Sequence, residues 1–184
     1  MHNKPPPYDL SNFTILLVED SLFMQSLISS MLKVFGVGDI LVCADAKEAT
    51  DLLTITQART TGKYINKVDI ILTDWLMPEG SGRHLLTWIR THEKDAIRFL
   101  PVIVVSGYTT TKVTSETRDL GANETLVKPI SGTALASRIC SIIDKPRSFI
   151  QAPRYFGPDR RRQVMPYAAQ DRRITKPNII EKSV

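Results

Sequence analysis

Glu19 and Asp20 follow the apolar run FTILLV (Phe13–Val18), and a third acid, Asp74, follows VDIILT (Val68–Thr73). Two further apolar runs end in a hydroxyl and an ammonium: Ser106 follows VIVV, and Lys128 follows ETLV and precedes Pro129. Carboxylates held close together repel and raise one another's pKa unless a cation intervenes, and an all-oxygen donor set suits a hard ion such as Mg2+. A carboxylate beside such an ion, a lysine and a hydroxyl can accept a phosphoryl group. Asp74 would be the nucleophile, the metal and Lys128 would neutralise the phosphoryl oxygens, and Ser106 would hold the transferred group. Each residue alone has a plainer role. Asp74 and Ser106 could start turns, Glu19 and Asp20 could cap a helix, and Lys128 could be a solvated charge. The recurrence at four run ends points to a shared site.

The elements must bring those ends together. Phe13–Val18, Ile40–Cys43, the run ending at Asp74, Val102–Val105 and Glu124–Val127 are short and apolar, as strands covered on both faces are. Helical spacing links Leu22, Phe23, Leu27, Ile28, Met31, Leu32 and Phe35, and Gly36 closes that helix. Asp45 and Glu48 form a capping box for a second helix ending near Arg59. Leu85, Leu86, Trp88 and Ile89 mark a third, followed by a polar link, Thr91 to Arg98. A threonine-rich, intrinsically weak fourth helix covers Lys112 to Leu120, and Ser131 caps a fifth carrying Leu135, Ile139, Ile142 and Ile143. Strict β/α alternation predicts a flavodoxin-like (βα)5 three-layer sandwich with a parallel sheet in the order 2-1-3-4-5. Its ligand crevice opens outside the carboxyl ends of strands one and three, between Asp20 and Asp74.

The chain has 184 residues, room for one domain and a tail. Of its 24 Lys+Arg and 19 Asp+Glu, nine basic and three acidic residues lie after Lys145, so the tail carries +6 and the remainder −1. Residues 1–12, with a proline triplet, predict an extended leader, residues 13–144 the domain, and residues 145–184 a basic, disordered tail without an effector domain. Cys43 and Cys140 have no ligand-like spacing and are expected to be reduced thiols. The start, MHNKPPPYDL, lacks a signal-peptide core, and no apolar run approaches the ~20 residues of a membrane span. A cytoplasmic protein without membrane partners is expected. His84 and His92 fall away from the crevice.

The motifs VED, DWLMPEGSG with its Asp-x-x-Met-Pro-x-x-x-Gly spacing, VVSGY and LVKP together resemble the receiver domain of two-component response regulators, the CheY-like family, over about residues 13–144. The resemblance implies that Asp74 accepts a phosphoryl group from the phosphohistidine of a histidine kinase or phosphotransfer protein. It implies that Asp20 and Asp74 bind Mg2+ with the backbone carbonyl of Leu76, that Glu19 assists through water, and that the Lys128–Pro129 bond is cis. Many receivers carry Tyr or Phe three residues before the lysine as a switch; here Thr125 stands there, with Tyr108 as a substitute. Leu76 and Tyr108 occupy positions similar to the family's tuners of phosphoryl lifetime, and neither can orient an attacking water. Slow self-dephosphorylation is expected. Gly107 leaves the aspartate open to a bulky donor.

The tail holds RYFGPDRRR, Arg154 to Arg162, and a weaker echo, QDRRI. Arg154, Tyr155, Phe156, Arg160, Arg161 and Arg162 are expected to dock on an acidic protein surface, with nucleic acid the less favoured target. The function expected is a phosphorylation-controlled module that acts on a downstream protein as a monomer or weak homodimer, with no enzymatic activity beyond its own phosphorylation and dephosphorylation. The alternatives are a constitutive interaction module, a nucleic-acid binder acting through the tail, and an aspartate-nucleophile phosphatase. The phosphatase would need an acid where Leu76 stands.

Overall fold

A computed structural model describes residues 9–58, 67–78, 82–107, 111–161 and 178–180. Strands β1 (Thr14–Val18), β2 (Asp39–Cys43), β3 (Ile70–Asp74), β4 (Val102–Ser106) and β5 (Glu124–Val127) form one parallel sheet in the order β2-β1-β3-β4-β5. The intervening helices are α1 (Leu22–Val34), α2 (Ala46–Ala58), α3 (Gly82–Thr91), α4 (Asp95–Arg98), α5 (Thr111–Asp119) and α6 (Gly132–Asp144). The flavodoxin-like order expected from the alternation is the one observed.

Side chains alternate along each central strand, so one run of apolar residues feeds two cores. Ile15, Leu17, Ile70, Leu72, Ile103 and Val105 pack with Ile28 and Leu32 of α1 and Leu135 and Ile139 of α6. Leu16, Val18, Ile71, Val102 and Val104 face Ala49 and Leu53 of α2 and Leu85, Leu86 and Ile89 of α3. All five residues of β1, of β3 and of β4 are buried, whereas the edge strands β2 and β5 are partly open. Their ends line up through the register: Val18 pairs with Thr73, Asp74 with Val105, and Ser106 with Val127. Residues just past these positions therefore share one rim.

Local signals set the element ends. Ser21 and Ser131 accept from the backbone N–H groups of Met24 and Ala134. Asp45 accepts from Glu48 N–H, and the Glu48 carboxylate reaches back to Ala44 N–H, one residue beyond the usual capping-box target. Gly36 and Gly121 take φ of 80° and 92° where α1 and α5 end. Within the polar link the structure adds α4, a single turn that buries Ile97 and pairs Arg98 with Asp95. One apolar residue gives too little periodicity to mark such a turn.

The tail departs from expectation more sharply. Strands β6 (Phe149–Ala152) and β7 (Tyr155–Pro158) form an antiparallel hairpin, and β8 (Asn178–Ile180) pairs with the other edge of β6. Where a disordered tail was expected, residues 145–161 carry this hairpin, and residues 162–177 and 181–184 lie outside the described residues. Phe149 and Phe156 cluster with Phe99, with ring centroids 4.8 to 5.4 Å apart. Gly157 sits so close to Gly121 that a Cβ on Gly157 would lie 2.8 Å from its Cα. The segment has no core of its own; it completes one with Phe99, about 50 residues earlier in the chain. Composition alone does not report such a partner. Among the described residues, no helix is long and apolar enough to cross a membrane.

Candidate functional site

Glu19, Asp20 and Asp74 converge at the rim between β1 and β3, each with an oxygen within 4.8 Å of the others. Glu19 is 1% exposed and Asp74 6%, while Asp20 is open to solvent. Backbone groups hold the buried acids in place. Glu19 Oε1 accepts from Ser21 N–H at 3.3 Å, and Asp74 Oδ1 accepts from Trp75 N–H at 2.8 Å. Gln25, from the first turns of α1, donates to the Glu19 carbonyl at 2.6 Å.

Lys128 reaches across from the end of β5. Its Nζ lies 2.9 Å from Glu19 Oε2 and 3.1 Å from Asp74 Oδ2. Burial works against the Lys128 ammonium, but its hydrogen bonds to Glu19 and Asp74 outweigh burial and hold its pKa above the ordinary value. Burial raises the Glu19 pKa; Lys128 opposes that and the Asp74 charge adds to it. The Lys128 backbone N–H donates to the Ser106 carbonyl at 2.8 Å, which ties the lysine to the end of β4. The Lys128–Pro129 peptide is cis. Ser106 is buried at the same rim, and Gly107, beside it, is exposed, with none of the described residues within 4 Å of where a Cβ would stand.

The donor set fits a hard cation. Three carboxylates supply oxygens only, one of them solvent-facing, and among the described residues the Lys128 ammonium offsets their mutual repulsion. Leu76, whose carbonyl was expected to join the set, follows directly on β3 and Trp75 with its side chain 51% exposed to solvent. Gly82, the last residue of the Asp-x-x-Met-Pro-x-x-x-Gly pattern, has a steric role that spacing does not reveal: a Cβ there would stand 2.0 Å from the Asp74 carbonyl oxygen. Its N–H donates to the Trp75 carbonyl at 3.2 Å, so α3 starts against the end of β3.

Thr125 lies on β5 and shares a hydrogen bond of 3.3 Å with the hydroxyl of Thr117, which α5 buries completely. Sequence reasoning singled out Thr125 and not Thr117. Tyr108 and Arg162 lie outside the described residues. Four of the tail residues expected to dock on a partner are engaged within the chain. Phe156 packs on Phe99, Tyr155 donates to the Pro158 carbonyl at 2.6 Å, Arg160 pairs with Asp119 at 2.6 Å, and Arg161 pairs with Asp159 at 3.0 Å. Arg154 follows Pro153 at the exposed hairpin turn. Tyr155, Phe156 and Arg160 thus have partners within the chain.

A doubly wound parallel sheet with an acidic triad and a lysine at its switch point defines the class of receiver-type α/β domains. The chain belongs to the response regulator receiver domain family, whose family model matches residues 15–140. It is 28% identical over 134 residues to the chemotaxis protein CheY-3 of Vibrio cholerae serotype O1, covering 73% of this chain and 94% of that protein. It is also 28% identical to the chemotaxis protein CheY of Pseudomonas aeruginosa over 131 residues, covering 71% of this chain and 96% of the relative. Among solved structures, it resembles the receiver domain of a Pseudomonas aeruginosa sensor histidine kinase with a magnesium ion coordinated in its active-site cleft. That match has a TM-score of 0.58 at 26% identity and covers 70% of this chain and 94% of that one. The protein is accordingly a CheY-like receiver of two-component signalling. The family match ends before the hairpin and its arginines.

Proposed function

We propose that Asp74 accepts a phosphoryl group from a phosphohistidine and that the modified state changes how the protein binds a downstream protein. The observation that carries this is the Lys128 ammonium within 3.1 Å of both Glu19 and Asp74 at the carboxyl end of the sheet. A carboxylate oxygen of Asp74 attacks phosphorus, the P–N bond to the donor breaks, and the released imidazole nitrogen takes up a proton. Lys128, already aimed at Asp74 Oδ2, donates to a phosphoryl oxygen, and the Ser106 hydroxyl donates to another. Asp20, Asp74 and the Leu76 carbonyl would hold Mg2+, with Glu19 acting through water. When bound, that ion supplies positive charge where the phosphoryl oxygens gather.

Thr125 replaces the aromatic switch of many receivers. Its bond to Thr117 supports a readout in which movement of the β4 end is passed to α5. Leu76 offers no acid or amide to an attacking water, which supports slow self-dephosphorylation and no wider hydrolase activity. The protein would act in the cytoplasm, as a monomer or weak homodimer.

Trp75 is buried beside Asp74 and reports on it, so fluorescence of a Trp88→Phe background should change when Mg2+ and then beryllofluoride are added. The Asp74→Asn protein should not respond to beryllofluoride. A wild-type signal that stays flat, or an equal response from Asp74→Asn, would favour a constitutive interaction module instead.

A further inference from the structure

We propose that the C-terminal hairpin clamps the end of α5 and opposes modification of Asp74, so that phosphorylation loosens the hairpin and the hairpin weakens the phosphorylated state. The coupling rests on Asp74 as phosphoacceptor and adds an element that lies beyond the family match, which ends at residue 140. Helix α5 has little of its own to hold it. Among its residues with described side chains, Thr117 alone is buried; Val113 is partly buried, and Lys112, Thr114, Arg118 and Asp119 are exposed. A threonine-rich helix has weak intrinsic propensity, and one that buries so little apolar surface sits at the low end of local stability.

The segment after α6 takes hold where α5 ends. Arg160 Nη1 lies 2.6 Å from Oδ1 of Asp119, the last residue of the helix, and the same guanidinium lies over the Tyr155 ring at 4.4 Å. Two residues on, Gly121 turns the chain towards β5 with a φ of 92°. A Cβ on Gly121 would stand 3.0 Å from the Phe156 carbonyl oxygen, and one on Gly157 would stand 2.8 Å from the Gly121 Cα, so the two backbones touch directly. Arg147 donates from Nη1 to the carbonyl of Asn123, just before β5, and from Nε to the carbonyl of Asp159, just after β7, both at 3.0 Å. The hairpin therefore grips the whole connection from α5 to β5.

Close packing makes this grip all-or-none. Backbones already in contact cannot follow a shift of the Asp119–Asn123 turn without losing their fit, so packed and released arrangements are favoured over a continuum between them. The clamped arrangement is the one in which Lys128 donates to Glu19 Oε2 and to Asp74 Oδ2 itself. A phosphoryl group on Asp74 draws Lys128 and Ser106 to its own oxygens and so moves the ends of β4 and β5. Thr125, paired with Val104 on those strands, passes the shift through its hydroxyl to Thr117 and thus to α5. Coupling between two sites is reciprocal, so the hairpin weakens the phosphorylated state by the same factor with which that state weakens the hairpin.

Beryllofluoride titration of the full chain in the Trp88→Phe background, at saturating Mg2+, reads the coupling from one side through Trp75 fluorescence. Phe156→Ala and Arg160→Ala should each bind beryllofluoride about fivefold tighter or more than the parent. Arg160→Ala leaves the aromatic cluster in place, so it carries the test even where Phe156→Ala fails to fold. Lys47→Ala, an exposed charge removed from α2, should bind like the parent. Hydrogen exchange reads the coupling from the other side: beryllofluoride should speed exchange of the amides of residues 149–158 in the parent and leave them unchanged in Asp74→Asn. Equal or weaker beryllofluoride affinity in the hairpin variants would overturn the clamp, as would equal tightening by Lys47→Ala or hairpin exchange that ignores beryllofluoride while Trp75 responds; each leaves the phosphoacceptor assignment standing. A flat Trp75 signal in the parent would overturn that assignment and the clamp with it.

Discussion

Arg90 Nη2 donates to Asn123 Oδ1 at 3.0 Å inside the domain, and the same oxygen accepts from Val102 N–H at 3.0 Å. One amide oxygen thereby joins α3, β4 and β5. The rest of the buried guanidinium donates to the carbonyls of Gly121, Arg98 and Leu100, and it lies 5.2 Å from the Phe149 ring of the hairpin. Burial lowers the Arg90 pKa to about 9, so it stays charged at neutral pH. Arg90→Met removes the charge but strands three carbonyl acceptors, and it should cost about 2–4 kcal/mol in urea unfolding. A midpoint unchanged from wild type would show that water satisfies those carbonyls.

Phe156→Ala should release the hairpin without unfolding the sheet. Phe156 is only partly buried, so the loss should fall near about 1–2 kcal/mol, below the cost of emptying a full aromatic site. Limited trypsin digestion should then cut after Arg154 and Arg160 well before the rest of the domain. Cleavage no faster than in wild type would mean that β6 and β8 hold the segment by themselves.

Gly82→Ala should damage the site more than the fold. The added methyl meets the backbone carbonyl of Asp74, which cannot swing away as a side chain would. Moving it costs about 1–3 kcal/mol and displaces the phosphoacceptor strand end. The tryptophan response to beryllofluoride should weaken at least about tenfold while the sheet's circular dichroism persists.

The hydroxyl pair of buried Thr117 and half-buried Thr125 makes a link that can be cut on one side. Thr117→Val keeps the shape and loses this bond together with the one Thr117 donates to the Thr114 carbonyl at 3.1 Å, at about 0.5–1.5 kcal/mol for each by thermal unfolding. Phosphorylation of Asp74 should survive, while hydrogen exchange along α5 should stop responding to beryllofluoride. An α5 response like that of wild type would show that the signal travels by another route.

Cys43 gives a pH dependence. Burial, with Glu48 and Asp45 adding to it, pushes its thiol from 9.0 up to about 12. A raised acid favours the fold while the thiol is protonated. Its contribution is therefore complete below pH 9 and is lost as pH rises towards about 12, because the unfolded chain ionises first. Iodoacetamide at pH 8.5 should label partly buried Cys140 and spare Cys43 until the protein unfolds. Equal labelling rates in the native state would contradict this.

Apolar runs ending in Glu19, Asp20, Asp74, Ser106 and Lys128 were enough to define the sheet order and the rim where these groups meet. In a parallel sheet buried on both faces, strand identity, strand end and helix cap are local signals, and crossover handedness does the rest. The sequence by itself therefore determined the (βα)5 domain and the residue types at its crevice. Tertiary structure decided what depends on partners far along the chain: the burial of Arg90 under Asn123, the bond between Thr117 and Thr125, and the seat of Phe149 and Phe156 on Phe99. An arginine on the inner face of α3, four residues after Leu86, was the one written hint of the first. Arg160 read as part of a docking arm because its partner is 41 residues away: the Asp119 carboxylate reaches it only when α5 has packed.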